Sequence, residues 1–178
     1  MFKVNDTVLY GAEGVCRIDE LTEKDFRGKR VKYYVLKPIY KTNSILDDPM
    51  ENEELVGRMR TVPTQEEIRD ILQKASQDES IWIEDEAERK VRYREILASG
   101  SSREIMQLIR TLYVHQKEQK AKGKKLHMAE ERLLKEAEKL LCDEFALVLG
   151  MQQDQAISYI WDRLGKTDSE SRNQAAEG

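Results

Sequence analysis

The chain has 178 residues, 39% of them hydrophobic and 36% charged, which leaves room for one or two domains with cores of their own. That apolar share excludes a chain disordered throughout, and the net charge of −4 tells mildly against a nucleic-acid partner. No apolar run approaches a membrane span, and the start, Met1-Phe2-Lys3-Val4-Asn5-Asp6, lacks the apolar core of a signal peptide, so a cytoplasmic protein is expected.

The first sixty residues read as strands. Thr7-Val8-Leu9-Tyr10 is β-rich and closed by Gly11-Ala12-Glu13-Gly14. Val15-Cys16-Arg17-Ile18 alternates only in part, because Val15 and Cys16 adjoin. A third strand, Val31-Lys32-Tyr33-Tyr34-Val35-Leu36, follows a turn at Arg27-Gly28, and Ser44-Ile45-Leu46, before Asp47-Asp48-Pro49, reads as a fourth. Strands this short and close together predict a small twisted antiparallel barrel.

From Pro63 the period becomes helical. Thr64-Gln65-Glu66-Glu67 fits a capping box, with Ile68, Ile71 and Leu72 as the buried stripe. A polar loop, Ser76 to Ser80, precedes a helix predicted from about Trp82 to Ser99 and stopped by Gly100. Ser101-Ser102-Arg103-Glu104 offers a second capping box, and Ile105, Leu108, Ile109, Leu112 and Tyr113 keep one helical face until Lys122-Gly123-Lys124 breaks it. Leu133, Leu134, Ala137, Leu140, Leu141, Phe145 and Val148 define the next helix, ended by Gly150. A last helix carries Ile157, Ile160, Trp161 and Leu164, up to Gly165, and the small polar tail is expected to be disordered. The expected architecture is α+β with two domains: a β domain over 1–61, a compact all-α domain of about five helices over 62–165, and a tail over 166–178.

Catalysis needs a convergent set of groups, and none is legible. His115 and His127 stand twelve residues apart with no HExxH or CxxC spacing, so no metal and no cofactor are expected. The glycines of Gly11-Ala12-Glu13-Gly14 do not form a phosphate loop, and Lys122-Gly123-Lys124-Lys125 lacks the upstream strand and glycine of one. Glu84-Asp85-Glu86 reads as acids complementing a helix N-terminus rather than as an acid–base pair. Cys16 and Cys142, far apart and each in an apolar segment, read as reduced core residues. The expectation is a non-enzyme with no small-molecule substrate.

The charge is unevenly spread. Residues 1–61 balance 11 basic against 11 acidic side chains, 62–100 and 140–178 each carry −4, and 101–139 carry +4. Within the basic stretch, His115 to Lys125 holds five lysines against Glu118 alone. This run is either a solvated surface or a phosphate-contacting patch, whose weak, salt-sensitive affinity a tethering domain would make effective. Trp82, between Ile81 and Ile83, is either a core residue or an exposed ring able to stack on a base or wedge into a minor groove. Trp161 keeps core spacing.

Phe2-Lys3-Val4-Asn5-Asp6-Thr7-Val8-Leu9-Tyr10 with Gly14, then Tyr33-Tyr34-Val35-Leu36-Lys37, Pro49-Met50-Glu51-Asn52 and Leu55-Val56-Gly57 follow one another in a familiar order. So do Leu97-Ala98-Ser99-Gly100, Ile109-Arg110-Thr111-Leu112-Tyr113 and Leu133-Leu134-Lys135-Glu136-Ala137. In this joint order residues 1–150 resemble the CarD/CdnL family of bacterial transcription regulators, whose first domain is shared with transcription-repair coupling factors. The resemblance implies a Tudor-like barrel docking on the RNA polymerase β subunit. It also implies a helical domain touching promoter double-stranded DNA at the upstream edge of the melted region, stabilising the open complex. The family's polymerase-facing positions fall on Lys24 and Phe26, and one that is basic in some members falls on Asp47, a charge reversal. On the DNA side Arg89 and Arg132 align with basic positions, and a position often lysine in relatives is Glu131. Counting back from Gly100, the relatives' wedge tryptophan falls on Glu86. Trp82 lies four residues earlier, close to one helical turn and about 6 Å along a helix axis.

The resulting expectation is a monomeric regulator that holds polymerase through Lys24 and Phe26. It would contact DNA through Trp82, Arg89, Lys122, Lys124, Lys125 and Arg132 without strict sequence reading. The alternative is a protein–protein adaptor of polymerase that never touches DNA, which the acidic balance and Glu131 favour.

Overall fold

A computed structural model describes residues 2–41, 45–52, 57–75, 77–99 and 101–164. The expectations placed on Ser44, Leu55-Val56, Ser76, Gly100, Gly165 and the tail 166–178 lie outside the described residues. One compact unit takes in residues up to Val62 together with Ala98 and Ser99, the other the remaining residues from Pro63 onward. Among the described residues these hold a five-stranded antiparallel sheet followed by five helices, the α+β class expected.

The strands are β1 (Thr7–Tyr10), β2 (Gly14–Phe26), β3 (Lys29–Pro38), β4 (Leu46–Pro49) and β5 (Met59–Thr61), in the order β4-β3-β2-β1-β5. A 3₁₀ turn, Gly11–Glu13, joins β1 to β2. Val8, Cys16, Ile18, Tyr34, Leu36 and Met59 form the core of this unit, flanked by Phe2, Tyr10, Leu46 and Met50. Two expectations are corrected. The fourth strand runs Leu46–Pro49, through the acids rather than ahead of them, and its proline is tolerated because β4 is an edge strand. The second strand does not stop at Ile18 but continues for eight more residues.

That extension makes a long β2–β3 arm. Arg27 and Gly28 both take positive φ (51° and 80°) between the paired Phe26 and Lys29, the geometry of a two-residue type I′ turn, whose twist suits a hairpin. Asp25 Oδ1 accepts the Gly28 N–H at 3.0 Å and fixes the turn. A register shift between Ile18 and Glu20 leaves Asp19 as an extra residue, where it pairs with Lys37 at 3.0 Å. Beyond this bulge, β2 to its end contributes no buried side chain.

The helices are α1 (Gln65–Ala75), α2 (Glu86–Ser99), α3 (Ser102–Ala121), α4 (Met128–Leu149) and α5 (residues 153–164). The predicted capping box closes α1: the Glu67 N–H donates to Thr64 Oγ1 (3.1 Å) and the Thr64 N–H to Glu67 Oε2 (2.9 Å). Ser101 caps α3, and Gly150 ends α4 in the left-handed conformation at φ 65°. Ile68, Leu72, Ile105, Leu108, Ile109, Leu112, Leu133, Leu134, Ala137, Leu141 and Phe145 meet in one core. In α5 the inward stripe is Ala156, Ile160 and Leu164, spaced four apart; Ile157, expected in the core, is exposed, and Trp161 is half-buried against Tyr113.

Candidate nucleic-acid interface

Helix α2 begins four residues later than its apolar residues suggest. Asp85 is its N-cap: its carboxylate accepts the Glu88 N–H at 2.8 Å, and its carbonyl accepts the Arg89 N–H at 2.9 Å. Ile81-Trp82-Ile83 therefore forms a non-helical strap ahead of the helix, and the expectation that Trp82 lies one turn along α2 is corrected.

The strap is pinned at several backbone groups. The Ile81 N–H donates to Thr111 Oγ1 (3.1 Å), and Tyr93 Oη donates to the Ile81 carbonyl (3.1 Å). Arg89 Nη1 donates to the carbonyls of Ile83 (2.8 Å) and Glu84 (3.2 Å). Its Nε and Nη2 bond Glu130 of α4 at 2.9 and 2.7 Å. Arg89 is 6% exposed and Glu130 2%, so this basic side chain, expected to contact DNA, is packed inside the helical unit.

Trp82 itself is half-buried. The His115 imidazole of α3 stacks on it with centroids 3.6 Å apart and planes 17° from parallel, and the Arg89 guanidinium lies 4.3 Å from the indole centroid. Burial lowers the His115 pKa below its ordinary value.

Two turns beyond His115, about 10 Å along α3, Lys122 caps the helix C-terminus and Gly123 (φ 72°) reverses the chain. Lys120, Lys122, Lys124, Lys125 and Arg132 are exposed, and no ion pair to them is found among the described residues. Lys117, Lys120, Lys124 and Lys125 line one open groove of about 680 Å³ with Tyr113 and Glu131. Lys117 is held there with its ammonium 4.4 Å from the Tyr113 ring.

The helical unit thus brings Trp82 and Arg89 into contact, and gathers Lys124 and Lys125 in the groove; Lys122 and Arg132 do not line it. Lys24 and Phe26 belong to the other unit, on the β2 arm. Lys24 pairs with Asp47, its ammonium 5.7 Å from the Tyr33 ring, and Phe26 is 58% exposed beside Arg27. Sequence reasoning overlooked His115 and Glu130 as partners of the strap, and Tyr113, Lys117 and Lys120 as groove walls. The i, i+4 steps from Tyr113 to Lys117 and from Gln116 to Lys120 were the available signal. Both buried cysteines are free thiols, as expected, and desolvation pushes them up to about 12, which keeps them unreactive. Among the described residues no helix is long and apolar enough to cross a membrane, and no His, Cys, Asp and Glu cluster is suited to a metal.

Residues 67–161 match the family model described as the CarD C-terminal domain, and residues 2–62 match the CarD-like/TRCF RID domain.

Proposed function

The chain belongs to the CarD family, and is therefore a non-enzymatic, RNA polymerase-interacting regulator of transcription; from that premise we propose that it stabilises the open promoter complex by holding polymerase with one module and double-stranded DNA with the other. Residues 1–61 dock on the β subunit through the arm carrying Lys24 and Phe26. Residues 62–165 contact DNA at the upstream edge of the bubble.

The observation that carries this reading is the sharing of α3. One helix supports Trp82 through His115 and, two turns on, delivers a set of lysines that form no ion pair among the described residues. Lys122, Lys124, Lys125 and Arg132 bind phosphates and release counterions. The exposed part of the Trp82 ring meets the distorted groove. Arg89 acts as a positioning residue, because its guanidinium is spent on Glu130 and on the strap carbonyls. The protein shifts the population toward the melted complex by binding it better than the closed one. Tethering through polymerase raises the effective concentration of a patch that is weak alone.

Footprinting and open-complex lifetimes on polymerase–promoter complexes test the proposal, with wild-type protein, Trp82→Ala and a Lys122/Lys124/Lys125→Ala triple variant. Shortened lifetimes with β-subunit capture intact are the expected result. Unchanged lifetimes and footprints in both variants, with capture intact, would mean an adaptor that leaves DNA alone.

A further inference from the structure

We infer that His115 is a positioning residue for Trp82, neutral in the stacked pose and releasing the indole when it takes up a proton. The inference rests on the reading above in taking Trp82 as the groove-facing ring, but the coupling of the two rings stands on geometry within the helical unit.

The strap leaves the indole few ways to move. Its backbone is tied at Ile81 by Thr111 and Tyr93, and at Ile83 and Glu84 by Arg89. What remains is rotation of the Trp82 side chain itself, and the imidazole stacked at 3.6 Å opposes it. Several groups face that imidazole. From its own helix, Glu118 Oε2 lies 4.0 Å from Nδ1 and Gln119 Nε2 lies 3.4 Å from Nε2. From α2 comes the Arg89 cation, from α4 Glu130, and from the strap Glu84.

Protonation places a second cation beside Arg89. Desolvation opposes the charge as well, and together with Arg89 it outweighs the attraction of Glu118, Glu130 and Glu84, since the His115 pKa is lowered. The sign follows from linkage. Parting the rings opens the imidazole to water and relieves the desolvation, so the released pose binds the proton more readily and support for the stacked pose falls as pH falls through the ordinary histidine range.

The test uses the full chain labelled with 5-fluorotryptophan, which gives one ¹⁹F resonance each for Trp82 and Trp161, assigned by Trp82→Phe. Between about pH 5.5 and 8, the Trp82 resonance should titrate with a midpoint below the ordinary histidine value while that of Trp161 stays fixed. In His115→Phe, which keeps a flat ring but no titrating nitrogen, and in His115→Gln, which keeps neither, the titration should vanish. A Trp82 resonance flat with pH in the wild type, or titrating unchanged in both variants, overturns the inference. A second arm measures open-complex lifetimes, where the extension given by the wild type should be lost on acidification and that given by His115→Phe retained. If the ¹⁹F titration behaves as stated but Trp82→Ala leaves lifetimes untouched, the ring coupling holds and the DNA role of Trp82 is what fails.

Discussion

Arg89 meets Glu130 through a single carboxylate oxygen: Nε and Nη2 both donate to Oε1, while Oε2 is buried with no hydrogen-bond partner among the described residues. The pair joins α2 to α4 and, through Nη1, fixes the carbonyls of the strap that carries Trp82. Such a pair contributes position more than net stability, because removing two charges from water costs about what their attraction returns.

Breaking one side of it is expensive. Glu130→Ala strands a buried guanidinium and is expected to lower unfolding stability by about 3–5 kcal/mol in urea titration. Replacing both partners, Arg89→Met with Glu130→Leu, is expected to cost much less while still loosening the strap. A double variant as unstable as the single would show that the pair is itself a main source of stability.

A second buried acid predicts a pH dependence. Glu144 of α4 is 2% exposed and bonded by the Ser102 hydroxyl; desolvation raises its carboxyl from 4.5 to about 7, against the smaller opposing effect of that bond. The folded protein therefore holds this proton more tightly than the unfolded chain. Its contribution is whole below about pH 4.5 and is lost as pH rises through 7. Glu144→Gln is expected to remove that part of the decline and to gain on the order of 3 kcal/mol at pH 8. Chemical denaturation of both proteins at several pH values measures it, and parallel pH profiles would refute it.

In the proposed function the groove lysines act through phosphate charge. Replacing Lys124 and Lys125 by alanine should weaken DNA binding equally across sequences and flatten the plot of log affinity against log salt by roughly 0.9 per lysine removed. An unchanged slope would place both side chains away from the phosphates.

At the arm, binding and folding separate. Phe26→Ala removes a largely exposed ring and is expected to shift stability by no more than about 0.5 kcal/mol while weakening capture of the polymerase β subunit. Gly28→Ala does the reverse: nothing within 4 Å opposes its new methyl group, but φ +80° strains it, at a cost of roughly 1 kcal/mol with contacts to a partner left in place. Thermal unfolding and a pull-down on the full chain separate the two effects.

Much of the helical unit was legible because its signals are local. The Thr64–Glu67 box, the Ser101 cap and the Gly150 terminus each lie within four residues, and the α3 and α4 stripes repeat often enough to fix a face. The start of α2 was misread because Ile81, Trp82 and Ile83 are apolar and continue the pattern, whereas Asp85, taken for a dipole-complementing acid, is the cap. The far part of β2 carried no alternation to read, since its side chains bury against nothing and its pairing rests on backbone bonds and the turn. Three-residue β5 was too short to register. The site suffered most from distance in sequence: Arg89 looks like a surface cation until Glu130, forty-one residues on, is brought beside it. The lysine run was plain, but the part of it that forms a groove depended on where α3 ends and α4 begins.

The bulge at Asp19 divides β2 into a root whose side chains build the core and a shaft whose side chains do not. Side chains on this part of β2 are free to drift, because none of them is buried in the core. A lineage can therefore alter the face that the shaft offers, residue by residue, without risking the collapse of the module that carries it.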